Sequence, residues 1–114
     1  MPENDTHANR EPPMIELVIP SEYVAAREVE EQVLREVERH GFRAEATFAI
    51  RLSLEEAITN AVKHGNKNDH SKRVYVRYLV TPDEAVICVR DEGPGFDPGG
   101  VPDPTAPTRI SLPN

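Results

Sequence analysis

Apolar residues recur along this chain with two different periods, and the switch between them marks out the elements. Residues 14–19 form a short apolar run, Met-Ile-Glu-Leu-Val-Ile, ended by Pro20, which cannot donate to a β ladder; they predict a strand. Ser21 then offers an N-cap oxygen and Glu22 a favourable first-turn charge, so a helix is expected to open there and run to about His40. Ala25, Ala26, Val29, Val33 and Val37 fall on one face of it, and Gly41 suits a C-cap. A second helix is predicted from about Ala44 to His64, with Ile50, Leu54, Ala57, Ile58 and Ala61 as its apolar stripe and Gly65 next in line. Glu56, Asn60 and Lys63 cluster on its other side.

From Arg73 the period changes to two. Val74, Val76, Tyr78 and Val80 alternate with Tyr75, Arg77 and Leu79, residues 81–84 (Thr-Pro-Asp-Glu) read as a turn, and residues 85–90 return as a second strand of an antiparallel hairpin. Beyond Gly95 the periodicity stops in a run rich in proline and glycine that reads as loop. Ile110 and Leu112 are too few apolar residues to predict another element. Residues 1–13, polar and without an apolar anchor, are expected to be a disordered tail. The organisation expected is therefore a tail over 1–13, a folded domain over 14–97, and an irregular, Pro-rich stretch over 98–114. Its fold class is α/β (α+β): a two-layer sandwich with helices on one face of a mostly antiparallel sheet.

Composition narrows the partners. The 114 residues carry a formal charge of −7, with acidic side chains dense at Glu28, Glu30, Glu31, Glu36 and Glu38 and no basic block with interleaved aromatics. Phosphate neutralisation needs clustered Lys and Arg, so direct nucleic-acid binding is not expected. The Glu run reads as a solvated helix face, or else as a docking surface for a basic partner. Cys88 is alone, which leaves no disulfide framework or thiolate zinc site, and its apolar neighbours predict a small buried hydrophobe. Hydrophobic content is 38%, and neither a signal peptide nor an apolar run of membrane length is seen. The expected compartment is the cytoplasm, with no membrane partner.

The chemistry lies at two places. Glu56 and Asn60 are four residues apart, so they project from the same side of a helix. Magnesium takes oxygen ligands and shares substrate phosphates, so Asn60 could supply one neutral oxygen while Glu56 stays free as a general base. On its own such a pair describes a polar helix surface equally well. Asp91 follows an apolar strand and precedes Gly93 and Gly95, which let backbone approach a ligand closely. Its carboxylate could accept a hydrogen bond from an exocyclic amine such as that of adenine, although a tight turn would use the same residues. No G-x-x-x-x-G-K-[ST] motif occurs, so a nucleotide site here must differ from a P-loop.

Taken in order, the helical E-x-x-x-N with its following His64-Gly65, then a hairpin, then Asp91-Glu92-Gly93-Pro94-Gly95-Phe96, resembles the N box and G1 box of the GHKL (histidine kinase-like) ATPases. The stretch from Leu52 to Asn66 is most similar to the anti-sigma factor serine/threonine-protein kinases, and the resemblance spans roughly residues 14–105. It implies a Bergerat-type ATP-binding fold, with ATP and Mg2+ as cofactors. It implies that Glu56 activates an acceptor serine, that Asn60 ligates magnesium, and that Asp91 reads the adenine amino group. Gly93 and Gly95 would shape the pocket floor, while His64 and Gly65 would border the nucleotide. The implied partners are a sigma factor and an anti-anti-sigma (STAS-type) protein. The family's second glycine box, Gly-x-Gly-Leu, and the helix and strand after it are not found before Asn114, so a fold lacking its C-terminal part is expected. An open sheet edge could then pair two copies as a homodimer.

The reading for function is an ATP-binding anti-sigma regulatory factor of the serine/threonine-protein kinase type. Its rival is a catalytically weak ATP-binding remnant that acts as a protein-binding module. An ATPase of the gyrase, Hsp90 or mismatch-repair type fits less well, because those chains bring large additional domains.

Overall fold

A computed structural model describes residues 14–93 and 108–114. Gly95, the tail over 1–13 and most of the Pro-rich stretch lie outside the described residues. Strand β1 (Ile15–Pro20) is followed by helices α1 (Tyr23–Arg39) and α2 (Ala44–Asn60), and α2 runs into a π-helical turn (Ala61–Gly65). Strands β2 (Arg73–Val80), β3 (Glu84–Arg90) and β4 (Thr108–Pro113) complete the described elements.

The four strands form one antiparallel sheet in the order β1-β2-β3-β4. Both helices cover the same face, α1 over β1 and β2, and α2 over β3 and β4. This is the expected two-layer α+β sandwich. Alternation dictates which side chains enter the core: Val74, Val76, Tyr78 and Val80 from β2, and Ala85, Ile87 and Val89 from β3, meet the helix stripes. The α2 stripe is buried as predicted at Ile50, Leu54, Ala57, Ile58 and Ala61, and α1 contributes Ala26, Val29, Val33, Leu34 and Val37. Tyr78 brings a hydroxyl into this core, and Gln32 of α1 donates to it at 2.9 Å, so the polar tip is not left unpaired.

The predicted turns hold. Gly41 takes φ 73° where α1 ends, with its N–H bonded to the Glu38 carbonyl at 3.0 Å. In the β2–β3 turn the Thr81 hydroxyl accepts from the Asp83 and Glu84 N–H groups, both at 3.2 Å.

Three expectations are corrected. Residues 108–113 form a strand, where an irregular C-terminus was predicted. Ile110 and Leu112 alternate inward opposite Ile87 and Ala85, so pairing with β3 makes good what two apolar residues cannot supply alone. Asn114 ties this strand down further. It donates to the Pro82 carbonyl at 2.9 Å and accepts from the Arg43 N–H, at the start of α2, at 3.0 Å.

Ser21 does not cap α1. The cap position is Glu22, without a side-chain capping bond, and the fully buried Ser21 hydroxyl instead accepts from Asn66 at 3.1 Å. Thirdly, α-helical bonding stops at Asn60 rather than His64. The next five residues widen into a π turn, with the Asn66 N–H on the Ala61 carbonyl at 2.8 Å, before the chain passes through left-handed Lys67 and Asn68.

Candidate functional site

The outward side of α2 delivers Glu56 and Asn60 to one open groove. Leu52, Glu55 and Thr59 line it with them, and its volume is about 440 Å3. Both predicted residues are exposed. Asn60 precedes the π turn and makes no side-chain capping bond.

The second predicted cluster forms on the other side of the π turn. The Asp91 carboxylate lies directly against Gly65: a Cβ built on Gly65 would stand 2.0 Å from Asp91 Oδ2 and 2.2 Å from its Cγ. Gly93 closes the arrangement, since its N–H donates to Asp91 Oδ1 at 2.8 Å and its own Cβ would fall 2.6 Å from the Gly65 carbonyl oxygen. Gly65 and Gly93 are therefore required for space. The structure thus joins Gly65, Asp91 and Gly93 in one contact, and Glu56 with Asn60 in one groove. His64 and Lys63 are exposed on the π turn between the two.

Two residues that the sequence reading left without a role hold this corner together. Asn66 is fully buried, and its amide uses three bonds: Nδ2 donates to Ser21 Oγ at 3.1 Å and to the Arg73 carbonyl at 3.0 Å, while Oδ1 accepts from the Glu92 N–H at 2.8 Å. Glu92 in turn accepts from the Arg73 N–H at 3.1 Å and from the Tyr75 hydroxyl. That phenol bond, helped by the Arg73 N–H and by the Arg73 and Arg90 guanidinium groups, holds the Glu92 carboxyl below its usual range, and the same bond raises the Tyr75 phenol. Asn66 stands directly after the His-Gly pair, so adjacency was a signal. Its partners, 45, 26 and 7 residues away, were not.

Elsewhere the acidic face of α1 is mostly exposed, as expected of a solvated helix. Partial burial, reinforced by the Glu55 carboxylate of α2, raises the Glu30 carboxyl above its usual range. Cys88 is buried, with Arg109 Nη1 at 3.8 Å from its sulfur.

The donor chemistry fits magnesium and a nucleotide in a particular way. Among the described residues no group of three or more His, Cys, Asp or Glu side chains could hold a metal by itself. A single neutral oxygen from Asn60 suits an ion that keeps waters and takes its remaining ligands from phosphates. The room made by Gly65 and Gly93 suits a carboxylate kept in place to accept from a base.

The chain, a two-layer sandwich with an E-x-x-x-N helix and a strand-end aspartate against Gly65 and Gly93, matches the class of histidine kinase-like ATPase domains. The chain belongs to the Histidine kinase-like ATPase domain family, whose match covers residues 19–113. Among curated proteins it is similar to the serine-protein kinase RsbW of Listeria monocytogenes, 39% identical over 59 residues, which is 52% of this chain and 38% of that protein. The RsbW of Bacillus subtilis is 36% identical over 59 residues, 52% of this chain and 37% of that protein. The anti-sigma F factor of Oceanobacillus iheyensis is 39% identical over 47 residues, covering 41% and 32%. The matched region thus spans less than half the length of these relatives. No described helix is long and apolar enough to cross a membrane.

Proposed function

We propose that this protein is a cytoplasmic, ATP-binding anti-sigma regulatory factor of the serine/threonine-protein kinase type, which phosphorylates an anti-anti-sigma (STAS-type) partner and binds a sigma factor. The observation that carries this is the seating of Asp91 on Gly65, immediately beyond the helix that presents Glu56 and Asn60. Relatives named as serine-protein kinase and anti-sigma factor support the partner classes.

In this reading Asp91 accepts a hydrogen bond from the adenine amine, and Gly65 and Gly93 keep its carboxylate in place. His64 and Gly65 border the nucleotide, and Gly93 shapes the pocket floor. Asn60 supplies one oxygen to magnesium, which when bound offsets phosphate charge. Glu56 takes the proton of the acceptor serine hydroxyl as its oxygen bonds to the γ-phosphorus and the bond from that phosphorus to ADP breaks.

The test is calorimetric titration of the whole chain with ATP, with and without magnesium, beside a phosphoryl-transfer assay on an anti-anti-sigma protein. Asn60→Ala should weaken the magnesium-dependent binding by about tenfold or more. Glu56→Ala should leave binding nearly intact and slow transfer by roughly 10²–10⁴-fold. Equal affinity in wild type and Asn60→Ala would overturn the site.

A second reading, an ATP-binding module that works by protein contact with little turnover, is favoured by one observation. Phe48 (61% exposed) and Leu52 (50% exposed, and lining the groove) are large apolar side chains exposed on α2. Tight nucleotide binding without transfer to any acceptor would select it.

A further inference from the structure

We infer that Asn66 is a positioning residue for base recognition: its buried side chain fixes the Asp91 carboxylate against the π turn, so that the two halves of the site keep one geometry. The inference rests on the proposal that Asp91 reads adenine, and it assigns a role to a residue that touches neither nucleotide nor metal in that proposal.

Three observations converge. First, the Asn66 side chain is fully buried and satisfied by three bonds, and those bonds go to three separate segments. They are the end of β1 at Ser21, the start of β2 at Arg73, and the turn after β3 at Glu92. A buried amide is costly unless its groups are paired, so the cluster either forms as a unit or not at all. Secondly, the backbone of Asn66 completes the π turn through its N–H on Ala61, and its carbonyl accepts from Asp69 at 2.9 Å. Any shift of the side chain is thereby passed to Gly65, the preceding residue. Thirdly, the bonded N–H belongs to Glu92, between Asp91 and Gly93. Asp91 is thus held from two sides, by the Gly93 N–H on Oδ1 and by the Asn66-anchored peptide that follows it.

The consequence concerns selectivity more than affinity. A site built to accept a hydrogen bond rejects an analogue that lacks the donor, because its acceptor is then left without a partner. If Asn66 sets the position of Asp91, losing Asn66 should erode discrimination at the base and spare contacts to the phosphates.

The experiment uses the full chain, uniformly 15N-labelled, as wild type, Asn66→Ala and Ser21→Ala. The probes are Mg-ATP and the triphosphate of purine riboside, which lacks the exocyclic amine. Wild type should prefer ATP, and Asn66→Ala should lower that preference by about tenfold while its affinity for the desamino analogue changes little. Amide exchange at Glu92 should quicken in the same variant. A general structural loss would instead weaken both nucleotides alike, and that outcome overturns the inference.

If Asn66→Ala does not fold, Ser21→Ala decides. It removes one of the two acceptors of Nδ2 and should give a smaller fall in preference, with faster Glu92 exchange; no change in either refutes the role. Failure of wild type to bind any nucleotide sinks the ATP proposal separately. In that case Glu92 exchange alone judges the clamp, and unchanged exchange overturns it.

Discussion

Substituting Gly65 by alanine probes the contact on which the site depends. Gly65 does not have a positive φ, so alanine fits the backbone and should gain about 0.4–1 kcal/mol from the unfolded chain's lost freedom. Against this, the new Cβ would stand 2.0 Å from Asp91 Oδ2, where ordinary contact begins at 3.4 Å. The carboxylate must therefore retreat by about 1.4 Å to restore van der Waals separation. That movement breaks the 2.8 Å bond from the Gly93 N–H, worth roughly 1 kcal/mol where water can replace it. Crowding at the packed turn adds about 1–3 kcal/mol. The net expectation is a loss of about 1–3.5 kcal/mol, read as a urea midpoint lower by roughly 1–2 M. Mg-ATP affinity should fall by about tenfold or more, because the displaced carboxylate no longer meets the base. Gly93→Ala should cost more, since its Cβ would meet the Gly65 carbonyl oxygen at 2.6 Å, and that backbone atom cannot rotate away. A Gly65→Ala protein with the wild-type urea midpoint and wild-type ATP affinity would refute the reasoning.

Two further outcomes test the frame around the site. Partial burial and the Glu55 charge raise the Glu30 pKa in the fold, so the native state holds that proton more tightly than the unfolded chain, and stability falls as pH rises from the unfolded value through the folded one. Glu30→Gln should remove that slope and slightly raise stability at neutral pH; an unchanged slope in urea titrations run upward from the ordinary glutamate range would count against it. Leu112→Asp should destabilise by about 2 kcal/mol or more, because it removes apolar burial against the core and places a charge there. A wild-type melting temperature for that variant would mean that β4 contributes nothing.

The parts of the fold that were legible are those in which local pattern and tertiary burial agree. The stripe from Ile50 to Ala61 and the alternation from Val74 to Val80 each name their own buried face, because period alone decides which side chains meet the core. What escaped was set by partners distant in sequence. Two apolar residues separated by Ser111 give no strand signal, yet Ile110 and Leu112 pair with β3 because an edge was waiting for them. Ser21 obeys a local capping preference only until Asn66, 45 residues on, offers its hydroxyl a buried partner. Likewise a 3.6-residue stripe is blind to a change of pitch, since Ala61 and Val62 stay buried whether the helix continues as α or widens to π.

That change of pitch bears on how the two sequence boxes could act together, as the proposed function requires. Glu56 and Asn60 need regular α geometry to share a groove, since it is at that pitch that i and i+4 stack one above the other. Gly65 needs its backbone against Asp91, close enough to exclude a methyl group. One uninterrupted helix would have to satisfy both demands with the same pitch. The π turn separates them: it begins at Ala61, directly after Asn60, and it ends at the glycine against which the Asp91 carboxylate lies. Asn66, the next residue, bonds that junction to the strand ends around it. A substitution that restored α pitch between Ala61 and Gly65 would therefore leave Glu56 and Asn60 in their groove and still draw Gly65 away from Asp91.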